Sequence, residues 1–182
     1  GQGAAALEGL SLACGVAVAR ALAACEVPAV QLKWPNDILH DGAKLGGILL
    51  EMTGDPAGVC QVVVGIGINV NMPRAEGIDQ AWTDLARICD DRPPPRNGLL
   101  GALLSELLPL LASFEANGFA PWREAWCALD AFADKPVILH SGAKQLAGTA
   151  RGVDARGALQ LETVAAGIQS VFGGELSMRP AP

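Results

Sequence analysis

With 182 residues and 51% of them hydrophobic, the chain suits one domain, or one domain with a small appendix, and can bury a sizeable core. Four Phe, four Trp and no Tyr leave that core mostly to Ala, Leu, Val and Ile, and a net charge of −6 with no Lys/Arg cluster argues against a nucleic-acid footprint. Cys14, Cys25, Cys60, Cys89 and Cys127 lie far apart without a CxxC pair, which reads as buried free thiols in a reducing, cytoplasmic setting. No apolar run reaches the roughly 20 residues of a membrane span. The start at Gly1-Gln2-Gly3 lacks Met and a basic region, so it reads as the cut edge of a longer protein rather than a signal peptide.

Apolar residues at Leu7, Leu10, Cys14, Val18, Leu22 and Cys25 predict a helix that Pro28 stops. Val30, Leu32 and Trp34 then alternate with Gln31 and Lys33 as a strand, ended by Pro35-Asn36-Asp37. Ile38-Leu39 and the segment after Lys44 flank Asp41-Gly42, a hairpin signal. Leu45–Met52 reads as a strand, and Val59–Val70 as a long apolar strand, central and covered on both faces. A short helix is expected over Asp79–Cys89. The run Arg92–Arg96, with three prolines, is a surface connection. Asn97 is expected to cap a helix whose apolar face holds Leu100, Leu103, Leu104, Leu107, Leu108, Leu111 and Phe114, closed by Asn117-Gly118. A last helix runs from Pro121 to Leu129. Beyond Asp134 come five short strand-like runs, Pro136–His140, Gln145–Val153, Ala158–Glu162, Gln169–Phe172 and Glu175–Met178, which predict a small barrel or sandwich. The domain division expected is therefore 1–133 and 134–182.

Chemistry concentrates in Lys33-Trp34-Pro35-Asn36-Asp37 and in Lys44-Leu45-Gly46-Gly47-Ile48-Leu49-Leu50-Glu51. Two lysines, an Asn and an Asp converge on one hairpin, beside paired glycines that mark close approach of a ligand or another backbone. A lysine ammonium there would bind carboxylate or phosphate as a point charge. A nearby Asp could orient it or hold Mg2+. Such a set suits a reaction that joins two anions, whose repulsion must be neutralised. The same residues also admit a plain reading, as solvated strand-end charges, a bulge at Gly46-Gly47 and turn formers at Asn36-Asp37.

Lys33–Asp37 resembles the K-W-P-N-D signature of biotin protein ligases, Lys44–Glu51 their K-[LI]-[AG]-G-[IV]-L-x-E segment, and Val64–Asn69 (V-G-I-G-I-N) their third signature. Arg151–Asp154, Gly157–Leu159 and Gly173–Glu175 resemble their C-terminal β domain, so the likeness runs through the whole chain in order. The resemblance implies an α+β fold: a mixed sheet with helices, like class II aminoacyl-tRNA synthetases, plus a small Src-homology-3-like barrel. It implies ATP-dependent activation of biotin as biotinyl-5′-AMP and its transfer to a lysine of an acceptor such as biotin carboxyl carrier protein. By the same resemblance, Lys44 would meet the biotin carboxylate and the α-phosphate, and backbone groups of Gly46, Gly47 and Ile48 would approach biotin. Asp37 would orient Lys44 or assist Mg2+. Asn69 and Trp82 would lie on the adenine side. Lys33 and Asn36 would line the pocket, and Glu175 and Arg179 would influence it from the C-terminal domain.

The family's Gly/Arg-rich segment is not among these residues, nor is a DNA-binding helix-turn-helix, so the chain alone is expected not to biotinylate an acceptor. An unpaired sheet edge is expected beside Val30–Trp34 or its neighbours, open to a homodimer. The alternatives are a non-catalytic nucleotide- or partner-binding remnant and a lipoate ligase-like acyltransferase. His40 and His140 read as surface residues, and Trp122 and Trp126 as packing residues.

Overall fold

The computed structural model describes residues 7–54, 60–73, 77–78, 80–141, 144–173 and 176–181. Helix α1 (Leu10–Ala24) starts after Gly9 at φ 75° and is buried over most of its length. Its small residues let it lie close on a sheet: a Cβ on Gly15 would stand 3.3 Å from the Leu32 methyls. That sheet has four antiparallel strands in the order β1 (Gln31–Lys33), β2 (Asp37–His40), β3 (Ala43–Gly54), β4 (Cys60–Ile68). The β2–β3 turn is the expected one, with Asp41 at φ 47° and Gly42 at φ 77°, both positive as a two-residue hairpin of matching twist requires.

Strand β4 departs from its expected place. It lies at the sheet edge, and Val63 is 58% exposed while Val62, Val64, Ile66 and Ile68 pack on the core. Alternating Gly65 and Gly67 made both faces look apolar, yet glycine needs no burial. The edge expected at Val30–Trp34 is covered instead: Leu32 bridges Asp130 in parallel, and the Ala131 N–H donates to the Leu32 carbonyl at 2.9 Å.

The expected Asp79–Cys89 helix shrinks to α2 (Leu85–Ile88); Asp84 caps it by accepting from the Arg87 N–H at 2.9 Å, and Asp79 lies outside the described residues. Residues 81–83 run extended beside β3. Helix α3 (Arg96–Asn117) begins after Pro95, so Asn97 is inside it rather than its cap. Its buried side is Leu99, Leu107, Leu110 and Phe114, whereas Leu100, Leu104, Leu108 and Leu111 are exposed. Leucine on nearly every side cannot fix the helix's rotation, which contact with α1 decides. By length and composition alone α3 also passes as a membrane span, contrary to expectation, although one side of it belongs to the core. Gly118 closes it, as expected, with its N–H donating to Phe114.

A short 3-10 turn (Ala120–Trp122) leads into α4 (Arg123–Leu129), where Trp126 is fully buried. The five C-terminal strands follow: β5 (Pro136–Ser141), β6 (Lys144–Val153), β7 (Leu159–Thr163), β8 (Gly167–Val171) and β9 (Leu176–Pro180), in the antiparallel order β8-β7-β6-β5-β9. This second sheet docks through specific contacts. The Trp34 indole N–H donates to the Gly157 carbonyl at 3.2 Å, and Arg123 Nε donates to Val153 at 2.6 Å. Gly157 and Gly9 meet so closely that a Cβ on Gly157 would stand 2.8 Å from the Gly9 Cα. Cys14, Cys25, Cys89 and Cys127 are free, but of these four Cys14 alone is buried as expected, the other three being half-buried; burial pushes the Cys14 thiol up to about 12, which leaves it inert at neutral pH.

Candidate active site

The hairpin β2–β3 builds the site. Its register shifts between Ile38 and Leu39, so that Ile38 pairs Gly46 but Leu39 pairs Lys44. This bulge lets Leu45 enter the core while Lys44 turns to the face shared by Gly47. Lys44 Nζ lies 2.5 Å from Asp37 Oδ1, and Lys33 Nζ lies 2.6 Å from Asp37 Oδ2. Lys33 is nearly buried, and the Lys44 side chain is 32% exposed, so one ammonium is sealed and the other faces out. Burial pushes the Asp37 carboxyl up, but the hydrogen bonds from Lys33 and Lys44, with their charges, outweigh it and hold the group below the ordinary carboxylate range.

Beside Lys44 lies a hollow of about 410 Å³, floored by Gly47, Gly65 and Gly67 and walled by Asn36, Asp37 and Leu49. Gly47 pairs Gly67 and Leu49 pairs Gly65 across β3 and β4, which makes the glycine floor a property of register. A Cβ on Gly47 would stand 3.5 Å from Lys44 Nζ, an ordinary contact, so Gly47 borders the ammonium without being forced to be glycine by space. Gly46 is required, because a Cβ there would collide with the Gly67 carbonyl oxygen. An open, glycine-lined hollow with one outward ammonium can accept an anion and offset charge that builds up on it.

Two expected roles change. The backbone of Ile48 is not free for a ligand: its N–H donates to the Asn36 carbonyl at 2.9 Å, its carbonyl accepts from Asn36 Nδ2 at 2.8 Å, and its side chain sits in the core. Asp37 does not fit a Mg2+ site, since both oxygens are engaged by ammonium groups, and among the described residues no cluster of three or more His, Cys, Asp or Glu could hold a metal.

Asn69 and Trp82 join the site through the backbone of Lys44. Asn69 Nδ2 donates to the carbonyls of Thr83 (3.0 Å) and Lys44 (3.4 Å), while Trp82 forms a parallel bridge with Lys44. Arg87 stacks over the Trp82 ring, 4.0 Å from its centre. Arg179, on β9, donates to Gln80 Oε1 at 3.1 Å and so meets the segment leading to Trp82. Glu175 lies outside the described residues. Leu49, Gly65 and Gly67 escaped the sequence reading as lining residues. Their signal was present in the V-G-I-G-I-N string, whose glycines alternate as one strand face must.

Residues 3–128 match the model of the biotin/lipoate A/B protein ligase family, and residues 133–179 match that of the biotin protein ligase C terminal domain. The chain belongs to the biotin/lipoate A/B protein ligase family. It is 42% identical to the bifunctional ligase/repressor BirA of Escherichia coli (strain K12), over 99% of this chain and 56% of that protein. It is 36% identical to the biotin–[acetyl-CoA-carboxylase] ligase of Paracoccus denitrificans, over 85% of this chain and 61% of that protein. The chain thus spans little more than half the length of these two relatives. Among solved structures it resembles the biotin protein ligase from Aquifex aeolicus in complex with biotin and ATP, with TM-score 0.84 and 28% identity, over 96% of this chain and 72% of that one.

Proposed function

We propose that the protein carrying this chain is an ATP-dependent biotin–protein ligase with Lys44 as the charge at its reacting centre. The observation that carries this reading is the outward Lys44 ammonium, fixed by Asp37 above the floor of Gly47, Gly65 and Gly67. Family membership and the biotin and ATP complex of the Aquifex aeolicus relative support it. Biotin and ATP are the substrates. In the first step a biotin carboxylate oxygen bonds to the α-phosphorus, the bond to the bridging oxygen breaks, and pyrophosphate leaves. Lys44 neutralises the two anions as they meet. In the second step the amine of an acceptor lysine, as in biotin carboxyl carrier protein, bonds to the acyl carbon, AMP departs and the nitrogen loses a proton.

Asp37 and Lys33 hold Lys44 in place, and Asn36 fixes the loop before it through Ile48. Asn69, Trp82 and Arg179 border the nucleotide side. Mg2+ has no assigned ligand here and takes no part in the roles given to these residues. Residues 1–133 carry the reaction and 134–182 assist ATP use or acceptor docking, in the cytoplasm. The hollow lies open beside Leu49, 60% exposed, and Val63, so this chain alone is expected not to sustain turnover, because an acyl-adenylate needs shelter from water.

The test is ATP–pyrophosphate exchange in the full-length protein with biotin or lipoate as the acid. Biotin-dependent exchange is expected. Exchange driven by lipoate alone would move the protein to the lipoate branch, and none with either would leave a binding remnant.

A further inference from the structure

The segment 81–83 is pinned by its backbone, but the ring it carries is not. The Lys44 N–H donates to the Ala81 carbonyl and the Thr83 N–H to the Lys44 carbonyl, both at 2.9 Å, and Asn69 Nδ2 donates to the Thr83 carbonyl at 3.0 Å. These bonds fix the path of the chain on either side of Trp82 and leave the plane of its indole unset. A tryptophan keeps two side-chain torsions beyond its Cα, so the ring needs a restraint of its own.

Arg87 supplies that restraint. Its guanidinium carbon lies over the Trp82 ring, 4.0 Å from the centre, a flat cation laid on the π face. The arginine is in turn tethered to a buried carboxylate. Asp84 is 1% exposed; its Oδ1 accepts from the Arg87 N–H at 2.9 Å and its Oδ2 from the Met72 N–H at 3.0 Å. Arg87 Nη1 stands 3.7 Å from the same Oδ2. A carboxylate persists out of water only with such partners, and this one places the first turn of α2 where Arg87 reaches back over Trp82. The pairing also offsets the arginine's charge, so Arg87 brings a plane to the site rather than a net cation. Its side chain is 47% exposed, so the core does not require it. An arginine over an indole is often only surface packing. This ring, however, belongs to the segment hydrogen-bonded to Lys44, and Gln80, two residues before it, accepts from Arg179 at 3.1 Å.

We propose that Arg87 is a positioning residue for the nucleotide: by covering one face of Trp82 it sets the indole plane and leaves the opposite face for the adenine ring to stack on. The proposal rests on the ligase reading in taking ATP as the nucleotide and Trp82 as its neighbour.

Calorimetric titration of the full-length protein tests this, with biotin present and α,β-methylene-ATP as the unreactive nucleotide. Arg87→Ala should weaken nucleotide binding about 3- to 10-fold, the loss of one cation–π contact, while the melting temperature holds. In biotin-dependent ATP–pyrophosphate exchange the same variant should raise the KM for ATP by that factor and leave kcat and the KM for biotin nearly unchanged. Arg87→Lys should recover only part of the affinity, because a compact ammonium does not set a plane. In a Trp82→Ala background Arg87→Ala should cost nothing further, since Arg87 acts through that ring. Nucleotide affinity unmoved by Arg87→Ala, full recovery with lysine, or equal losses in the two backgrounds would each overturn the proposal. A protein that binds the nucleotide and responds to Arg87→Ala as expected, yet shows no biotin-dependent exchange, would support the role of Arg87 and remove the ligase reading. A protein that binds no nucleotide would overturn both.

Discussion

Two aspartates flank strand β1, and they have opposite fortunes. Asp37, paired with Lys33 across the β1–β2 ladder, gives one oxygen to each of two lysines. Asp130, bridged to Leu32 on the other side, accepts from the Phe132 N–H at 2.9 Å through one oxygen, while its buried Oδ2 has no partner among the described residues. Burial pushes both carboxyls up. At Asp37 two cations reverse the sign, whereas at Asp130 burial prevails over the Phe132 hydrogen bond and the charge of Lys135. Burial alone therefore does not mark a working carboxylate. What distinguishes Asp37 is that one of its cations faces an open, glycine-floored hollow.

Gly65→Val should have the largest effect. A Cβ at Gly65 meets only ordinary contacts at 3.4 Å and beyond, so the fold should survive, while the branched side chain fills the hollow. Biotin-dependent turnover should fall at least ~100-fold with the melting temperature nearly unchanged, because the reacting groups lose their alignment. Asp37→Asn should cost about 3 kcal/mol in urea unfolding, since it strands the buried Lys33. The depressed folded-state pKa fixes the pH dependence. The contribution of Asp37 is fully present above the unfolded value near ~4 and is lost as pH falls through the lower folded value. The stability gap between the two proteins should therefore be flat from neutral pH down to about 5, then narrow in stronger acid.

Gly46→Ala should destabilise by about 1–3 kcal/mol, as overpacking against the Gly67 carbonyl must shift a strand. Asp130→Asn should be the mildest change and of opposite sign. A folded pKa raised above the unfolded one means that stability is lost as pH rises through that interval, so the neutral amide should gain up to about 1 kcal/mol near pH 7 and nothing in acid. A loss at pH 7 would assign Asp130 a partner that the present geometry lacks.

The parts legible in sequence were those decided locally. Asp41-Gly42 dictates its turn through backbone conformation, the C-terminal strands stand out as short strand-like runs, and Lys33, Asp37 and Lys44 are near enough along one hairpin for convergence to be read. The misread parts depend on distant contacts. Alternating glycines hid the exposed face of β4, and the leucines of α3 gave no phase until α1 chose one. Residues 81–83 looked helical, yet their backbone is held by β3 at Lys44, with the Lys44 N–H donating to Ala81 and the Thr83 N–H to Lys44, both at 2.9 Å. The bulge that turns Lys44 toward Asp37 has no local signature in Lys44-Leu45 and follows from pairing with Ile38 and Leu39.

The most direct test of the central claim is biotin-dependent ATP–pyrophosphate exchange by the full-length protein, unmutated and with Lys44→Ala or Lys44→Arg. A fall of about 10²–10³-fold is expected for alanine, as when a preorganised charge is removed from a transition state, and only partial recovery with arginine, whose planar fork does not reproduce a compact ammonium beside Gly47. Exchange by the alanine variant at close to the unmutated rate would contradict it.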